Sequence, residues 1–190
     1  MLGRRRAMMM TQKRKTVEWD YEWNADDGQI PDEWIFYGNG QHSYVENEYL
    51  EISAPVSQYY GLLIPEHNPD KYSYELEIMV VEAKNNGIRF SHGDSDTVAA
   101  LQFTILNRYL NILKTSTPLS TSTCTTPISY NEWHRIKVEY NREEASSVYL
   151  DDVLVITQLR EDYSTLYANS ARWLAQNGTF LIRALKMKKG

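Results

Sequence analysis

Cysteine is almost absent from this chain of 190 residues, in which Cys124 is the single example. One cysteine cannot form an internal disulfide, so the fold must be held together by packing. A chain of this length can bury roughly 70% of the surface that its unfolded form exposes, which is enough for one well-packed domain. The unpaired thiol also argues against a small extracellular module built on disulfides.

Long apolar runs are missing as well. The sequence contains no run of about 18 apolar residues, the length that a membrane-spanning helix needs. The apolar run nearest the start, residues 7–10, is far shorter than the hydrophobic region of a secretory signal peptide. We therefore expect cytoplasmic synthesis without a signal peptide.

Charge is unevenly distributed along the chain. The sequence has 20 lysine and arginine residues against 25 aspartate and glutamate residues, a formal net charge of -5. Residues 1–15 hold six of the basic residues and no acid, which leaves 14 basic and 25 acidic residues in the remainder. This asymmetry predicts a flexible basic arm at 1–15 followed by an acidic domain at 16–190. The acidic body argues against nucleic acid as the partner.

Apolar and polar residues alternate in many short segments. Residues 17–23 carry an aromatic or aliphatic side chain at every second position, which is the period of a strand with one buried face. Residues 133–156 repeat the pattern on both sides of Asp151-Asp152, a dipeptide suited to the tight turn of a β-hairpin.

Two segments depart from this alternation. Residues 115–127 are rich in serine and threonine, which predicts a surface loop that serves either as a lid or as a simple connector. Residues 162–176 place apolar side chains at spacings of three and four before Asn177-Gly178, which predicts one short helix. With short strands and frequent turns elsewhere, the sequence predicts an all-β, two-sheet antiparallel β-sandwich of the jelly-roll type.

Aromatic residues are abundant, with 14 tyrosines and 5 tryptophans. Aromatic side chains favour strands and fill sandwich cores, and their flat faces also stack on sugar rings. For any one of these residues, a place in the core is the more frequent role.

Three segments have a residue order found in a known group of β-sandwiches. The first is a D-D-G … P-x-x-W-x-x-x-G-x-G opening at 26–40, the second joins Trp133-His134 to a V-Y-L-D-D hairpin at 148–152, and the third is the predicted last strand at 178–187. Together they resemble the concanavalin A-like lectin and glucanase domains, which include laminin G-like modules. The resemblance implies a concave sheet that holds saccharide and a last strand that pairs with the first.

Glu75 and Glu77 are the best carboxylate pair for glycoside hydrolysis, because residues two apart on a strand share a face. Laminarinase-type glucanases of the resembled fold carry E-x-D-x-E on one strand, whereas this chain has E-L-E-I-M at 75–79. This departure favours a binding module without catalysis. The alternative is a glycoside hydrolase or polysaccharide lyase that uses Glu75 and Glu77, or Arg89, His92 and Tyr109.

Candidate metal ligands are few. Asp94 and Asp96 have the D-x-D spacing of an oxygen-rich calcium site, but calcium takes roughly six to eight oxygen ligands. A turn that favours aspartate is the preferred interpretation. We predict no required cofactor, with calcium at Asp94 and Asp96 as the alternative.

A polar strand face is the more promising site. Guanidinium, amide, imidazole and phenol groups can exchange hydrogen bonds with vicinal hydroxyls, and a tyrosine ring can stack on a sugar. We predict that glycan or polysaccharide binds on the concave sheet at Arg89, His92, Gln102, Tyr109 and Asn111. The same groove is expected to include Glu75 and Glu77. An ordinary hydrated sheet is the alternative.

The first ten residues, MLGRRRAMMM, resemble the short basic start of some small phage and prophage structural proteins. The resemblance implies a virion component whose arm docks on acidic virion proteins while the sandwich projects outward. A disordered tail is the alternative interpretation of the arm. A purely structural homo-oligomer is a third hypothesis for the whole chain.

Overall fold

The computed structural model describes residues 18–64, 71–84, 87–92, 101–106, 108–113, 121–141, 143–159 and 171–190. Within these ranges the chain is almost entirely antiparallel β-strand, and the one helical element is a 3-10 turn, Ala25–Asp27. The predicted all-β architecture is confirmed. The strands are β1 (Tyr21–Asn24), β2 (Ile35–Gly38), β3 (Gln41–Val45), β4 (Tyr49–Ile64), β5 (Lys71–Ala83), β6 (Ile88–His92), β7 (Leu101–Leu106), β8 (Tyr109–Leu113), β9 (Thr121–Pro127), β10 (Trp133–Asn141), β11 (Ala145–Leu150), β12 (Val153–Leu159) and β13 (Ala171–Lys189).

Two long strands, β4 and β13, run through both layers of the sandwich. The first half of β13 pairs with β6, the second half pairs with β5, and β4 follows β13 on its other side over both halves. We call the layer β12-β11-β10-β5-β13-β4-β3 sheet I and the layer β9-β8-β7-β6-β13-β4-β2 sheet II. Strand β1 lies beside the end of β13 in sheet I, which confirms that the first and last strands pair.

The core lies between the two layers and is rich in aromatic rings. Tyr74 of sheet I packs against Trp173 of sheet II with ring centroids 5.6 Å apart, and Phe90 packs against Phe180 at 6.4 Å. All four side chains are fully buried. On β5 and β10 every second residue is buried, as the alternation predicted.

The helix predicted at 162–176 is wrong over residues 171–176, which form the start of β13; the rest of the predicted segment lies outside the described residues. Trp173 and Ala175 face the core, while Leu174 is buried on the opposite face. A central strand buried on both faces loses its alternation, so its apolar spacing can imitate a helix. Asn177-Gly178 is therefore not a helix stop. It is the bulge at which β13 passes from one sheet to the other, with Asn177 at φ 61°.

The loop predicted at 115–127 is also corrected in part. Residues 121–127 form β9, which pairs with β8 at the edge of sheet II. Threonine has a high strand propensity, and an edge strand tolerates Pro127 at its end. Residues 114–120, the arm at 1–15, and the candidate calcium ligands Asp94 and Asp96 lie outside the described residues.

The predicted hairpin turn at Asp151-Asp152 is confirmed, since both residues have positive φ, 50° and 68°, between the paired Leu150 and Val153. Asp151 ties this turn to β10. Its carboxylate accepts hydrogen bonds from the backbone N–H of Arg135 and from Nδ1 of His134, both at 2.8 Å. The Trp-His-Arg segment and the Asp-Asp turn thus form one structural unit.

Replacing Asp151 by glycine should lower the free energy of unfolding by about 1–3 kcal/mol, because glycine keeps the positive φ but leaves two donors without their acceptor. The matched change Asp152→Gly should cause no loss, because glycine adopts positive φ without strain and the exposed pair of Asp152 with Arg135 contributes little. Urea denaturation of both variants checks this. Equal losses in the two variants would contradict it.

Burial raises the pKa of Tyr74 well above its ordinary value of 10.0, because the core disfavours the phenolate. The folded chain therefore holds this proton more tightly than the unfolded chain, so the stabilisation is complete below about pH 10 and is lost as the pH rises further. Tyr74→Phe should make stability less dependent on pH above that value. Denaturant titrations across the alkaline range measure the free energy of unfolding, with Tyr109→Phe at an exposed position as the control. If both variants show the same pH dependence, burial of Tyr74 is not its cause.

Candidate functional site

The outer face of sheet II can be described as cross-strand rows, because residues paired across strands share a face. Row 1 consists of Tyr59, Gln176, Gly87, Leu106 and Tyr109. Row 2 consists of Tyr37, Gly61, Leu174, Arg89, Thr104 and Asn111. Row 3 consists of Ile35, Leu63, Arg172, Ser91, Gln102 and Leu113.

The central link in row 1 follows from two observations. Gln176 donates its backbone N–H to the carbonyl of Gly87 at 2.9 Å. Gly87 immediately precedes Ile88, whose antiparallel partner is Ile105, so Gly87 lies opposite Leu106.

Four of the five predicted glycan-binding positions fall on this face. Arg89 and Asn111 lie in row 2, Tyr109 ends row 1, and Gln102 lies in row 3. His92 falls in the other phase of β6, the phase of Phe90, and pairs with Leu101. The side chains of His92, Gln102 and Asn111 lie outside the described part of the structure. The strand register therefore places only the backbones of these three residues.

The centre of this face is buried. Leu174 is 3% exposed and Thr104 is 6% exposed although both occupy outward positions. Gly61 is buried beside them, and a side chain there would collide with Leu174 and the backbone of β13. By contrast, Tyr59 and Tyr109 at the ends of row 1 are 45% and 44% exposed. Exposure on row 1 and row 2 is therefore concentrated at the two ends of this face.

The Tyr59 end carries a second ring and two side-chain amides. Tyr37 lies 6.3 Å from Tyr59, ring centroid to ring centroid. Asn39 donates its backbone N–H to the carbonyl of Tyr59 at 2.8 Å and its side-chain amide to Gln58 at 3.0 Å. Sequence reasoning missed this end, because nothing in the local pattern of β2 and β4 indicates that they join the sheet that contains Arg89.

Glu75 and Glu77 lie elsewhere. Both face outward from β5 in sheet I, on one face as predicted. They line a polar pocket of about 510 Å³, whose other walls are Asn24, Ala25, Asp26, Asn47, Glu48, Arg135, Arg183, Ala184 and Lys186. The structure therefore places the two carboxylates on the opposite side of the sandwich from Arg89 and Tyr109, and the expected shared groove does not form.

Basic residues surround this carboxylate pair. Nε of Arg183 donates to Glu77 at 2.5 Å, and the guanidinium of Arg183 lies 4.5 Å from the ring centroid of Trp133. Glu75 pairs in register with Lys137 on one side and Lys186 on the other. An ion pair that is more than one third exposed contributes little to stability, so this arrangement is a hydrated charged surface.

The described ranges contain no group of three or more histidine, cysteine, aspartate or glutamate side chains that could hold a metal ion. No helix within them has the length and apolar character to cross a membrane.

The sequence matches no family model and no curated protein. Solved structures nevertheless share its fold, and they show that it is the concanavalin A-like lectin fold that the sequence resembled. One is the carbohydrate recognition domain of Emp47p, at 15% identity and a TM-score of 0.64, covering 90% of this chain and 96% of that domain.

Two other matches differ in how much of the known protein they cover. The exoplasmic/lumenal domain of VIP36 in its Ca²⁺-bound form has 12% identity and a TM-score of 0.61, with 89% of this chain and 90% of that domain covered. A sialidase has 10% identity and a TM-score of 0.68 over 91% of this chain. The chain spans only 19% of the sialidase. Likeness at these identities establishes the fold alone.

Proposed function

We propose that this chain is a non-catalytic glycan-binding or adhesion module that holds its ligand on the outer face of sheet II. The observation that carries the proposal is that the strand register places Arg89, Gln102, Tyr109 and Asn111 on the outer face of one sheet. The fold likeness to domains described as carbohydrate recognition domains supports the same class of ligand.

The chemistry of the face suits a polyhydroxylated ligand. Arg89 is half-buried and carries a planar guanidinium, while the partly buried Gln176 adds an amide with both donor and acceptor. Exposed tyrosine rings provide stacking planes. A concave surface with a few fixed polar groups and aromatic walls is the general form of a small-ligand site.

The same rows argue against glycoside hydrolysis. A glycosidase needs two carboxyl groups that flank the scissile bond, whereas none of the positions in rows 1 to 3 is aspartate or glutamate. Glu75 and Glu77 lie on the other sheet, and Arg183 is bound to Glu77. The rival candidate is a hydrolase or lyase, which would need to work from that separate pocket or from Arg89 and Tyr109.

The sequence alone supports a role for this module in a virion. Residues 1–15 would dock the module on an acidic virion protein, and their basic composition is what supports this.

Arg89→Ala should weaken binding to glycans found on a broad glycan array by about 1.5–3 kcal/mol, the contribution of hydrogen bonds to a charged group. Arg183→Ala is the matched control, since it removes an arginine from the outer face of sheet I and should leave binding unchanged. Calorimetry measures the affinity of both variants, and circular dichroism checks that both variants fold. Loss of binding in Arg183→Ala but not in Arg89→Ala would place the ligand on sheet I and contradict the proposal.

Catalysis is tested with the same glycans. The wild-type chain should release neither reducing ends nor unsaturated sugars during prolonged incubation, and Glu77→Gln should bind as tightly as wild type because Glu77 lies on the other face. Chromatography of the products measures this. Cleavage by wild type that disappears in Glu77→Gln would support the hydrolase alternative instead.

A further inference from the structure

Two Asn-Gly dipeptides lie fully within the described residues, and their surroundings are opposite. Asn39-Gly40 connects β2 to β3, and both of its residues are exposed. Asn177-Gly178 forms the bulge of β13, and both of its residues are buried. The remaining Asn-Gly dipeptide of the sequence contains Asn86, which lies outside the described residues. The same chemical unit therefore occurs once at the surface and once in the centre of the sandwich.

An Asn-Gly dipeptide can deamidate without an enzyme, because glycine has no side chain to shield its backbone nitrogen. This nitrogen loses its proton and attacks Cγ of the asparagine, a cyclic succinimide forms, and the side-chain nitrogen leaves as ammonia. Water then opens the ring at either carbonyl carbon, which gives aspartate or its β-linked isomer, isoaspartate. The sum consumes one water molecule and releases one ammonia molecule, with no oxidation or reduction.

The surroundings of Asn39 leave the attacking nitrogen available. Among the turn and loop hydrogen bonds of the described residues, none uses the backbone N–H of Gly40. The two hydrogen bonds of Asn39 engage other groups, since its backbone N–H donates to the carbonyl of Tyr59 at 2.8 Å and its side-chain amide donates to Gln58 at 3.0 Å. Both residues of the dipeptide are exposed, so water can reach the ring that forms.

The fold encloses the other dipeptide. Gly178 lies between Ala54 of β4 and Ala83 of β5. The carbonyl of Asn177 accepts the backbone N–H of Lys84 at 2.9 Å. Ring closure at Asn177 therefore needs a central strand to open, and such an opening costs nearly as much free energy as unfolding of the whole domain.

We propose that Asn39 is a site of spontaneous deamidation in the folded protein and that Asn177 is protected from it. The reaction replaces a neutral amide by a carboxylate next to Tyr59, at one end of a face whose rows contain no acid. In the isoaspartate product the backbone between β2 and β3 is also one carbon atom longer. The proposal is independent of glycan binding, because its only co-reactant is water.

The experiment incubates the full chain at mildly alkaline pH, folded and in concentrated urea. Peptide mapping by mass spectrometry in heavy-oxygen water measures conversion at each dipeptide, and an isoaspartate methyltransferase detects the isomer. Asn39 should react in the folded chain at a rate within about tenfold of its rate in urea, because no strand has to open. Folding should slow the reaction at Asn177 by at least about a thousandfold, because it needs nearly complete unfolding.

Asn39→Gln is the matched variant, since it keeps the amide but would need a larger ring that closes much more slowly. A change at Gly40 is unsuitable, because a Cβ there would collide with Tyr60 and with the carbonyl of Ser53. Asn39→Gln should remove the isoaspartate that forms within residues 18–64 of the folded chain. Circular dichroism checks that the variant is folded.

The internal comparison makes the result decisive. If folding slows both dipeptides equally, or if Asn177 reacts faster than Asn39 in the folded chain, the proposal is overturned. Persistence of isoaspartate within residues 18–64 in Asn39→Gln would place the reaction at another residue and would also overturn it. Glycan binding stands or falls separately, since no glycan enters this experiment.

Discussion

The passage of β4 and β13 through both layers is the constraint on which the rest of the structure depends. The two strands pair on both sides of the bulge at Asn177-Gly178, so β13 changes sheets and keeps β4 as its neighbour up to Ile182. A bulge shifts the alternation of a strand by one residue. Because of this bulge, the side chains of Trp173 and Phe180 both point into the core. The bulge also determines which residues of β13 point outward from sheet II.

That alternation gives the molecule two different outer faces. The face of sheet I is charged, with Glu75, Glu77 and Arg183 around a polar pocket. The face of sheet II carries aromatic rings and amides around the buried Gly61, Leu174 and Thr104, and its rows contain no carboxylate. A sandwich of this thickness keeps the two faces apart, since packed sheets lie about 10 Å from each other. One ligand cannot use both faces.

Sequence reasoning predicts the strands of this fold well where only one face is buried, as on β5 and β10, because the period of two is then visible. It fails on residues 171–176, where burial on both faces hides the period, and on 121–127, where serine and threonine imitate a loop. The outward orientation of Arg89 and Tyr109 follows from the alternation within their own strands, so the sequence predicts it. The positions of Tyr59 and Glu77 are not, because they depend on pairings between strands far apart in sequence.

The most direct test of a ligand site on sheet II is a protein-observed NMR titration with a glycan that the chain binds. Amide signals of Gly87, Arg89 and Gln176 should shift in a saturable way, because these residues lie on the central strands of sheet II, while signals of Glu75 and Glu77 should stay fixed. Shifts confined to Glu75, Glu77 and Arg183 would contradict the account and move the site to the opposite side of the sandwich.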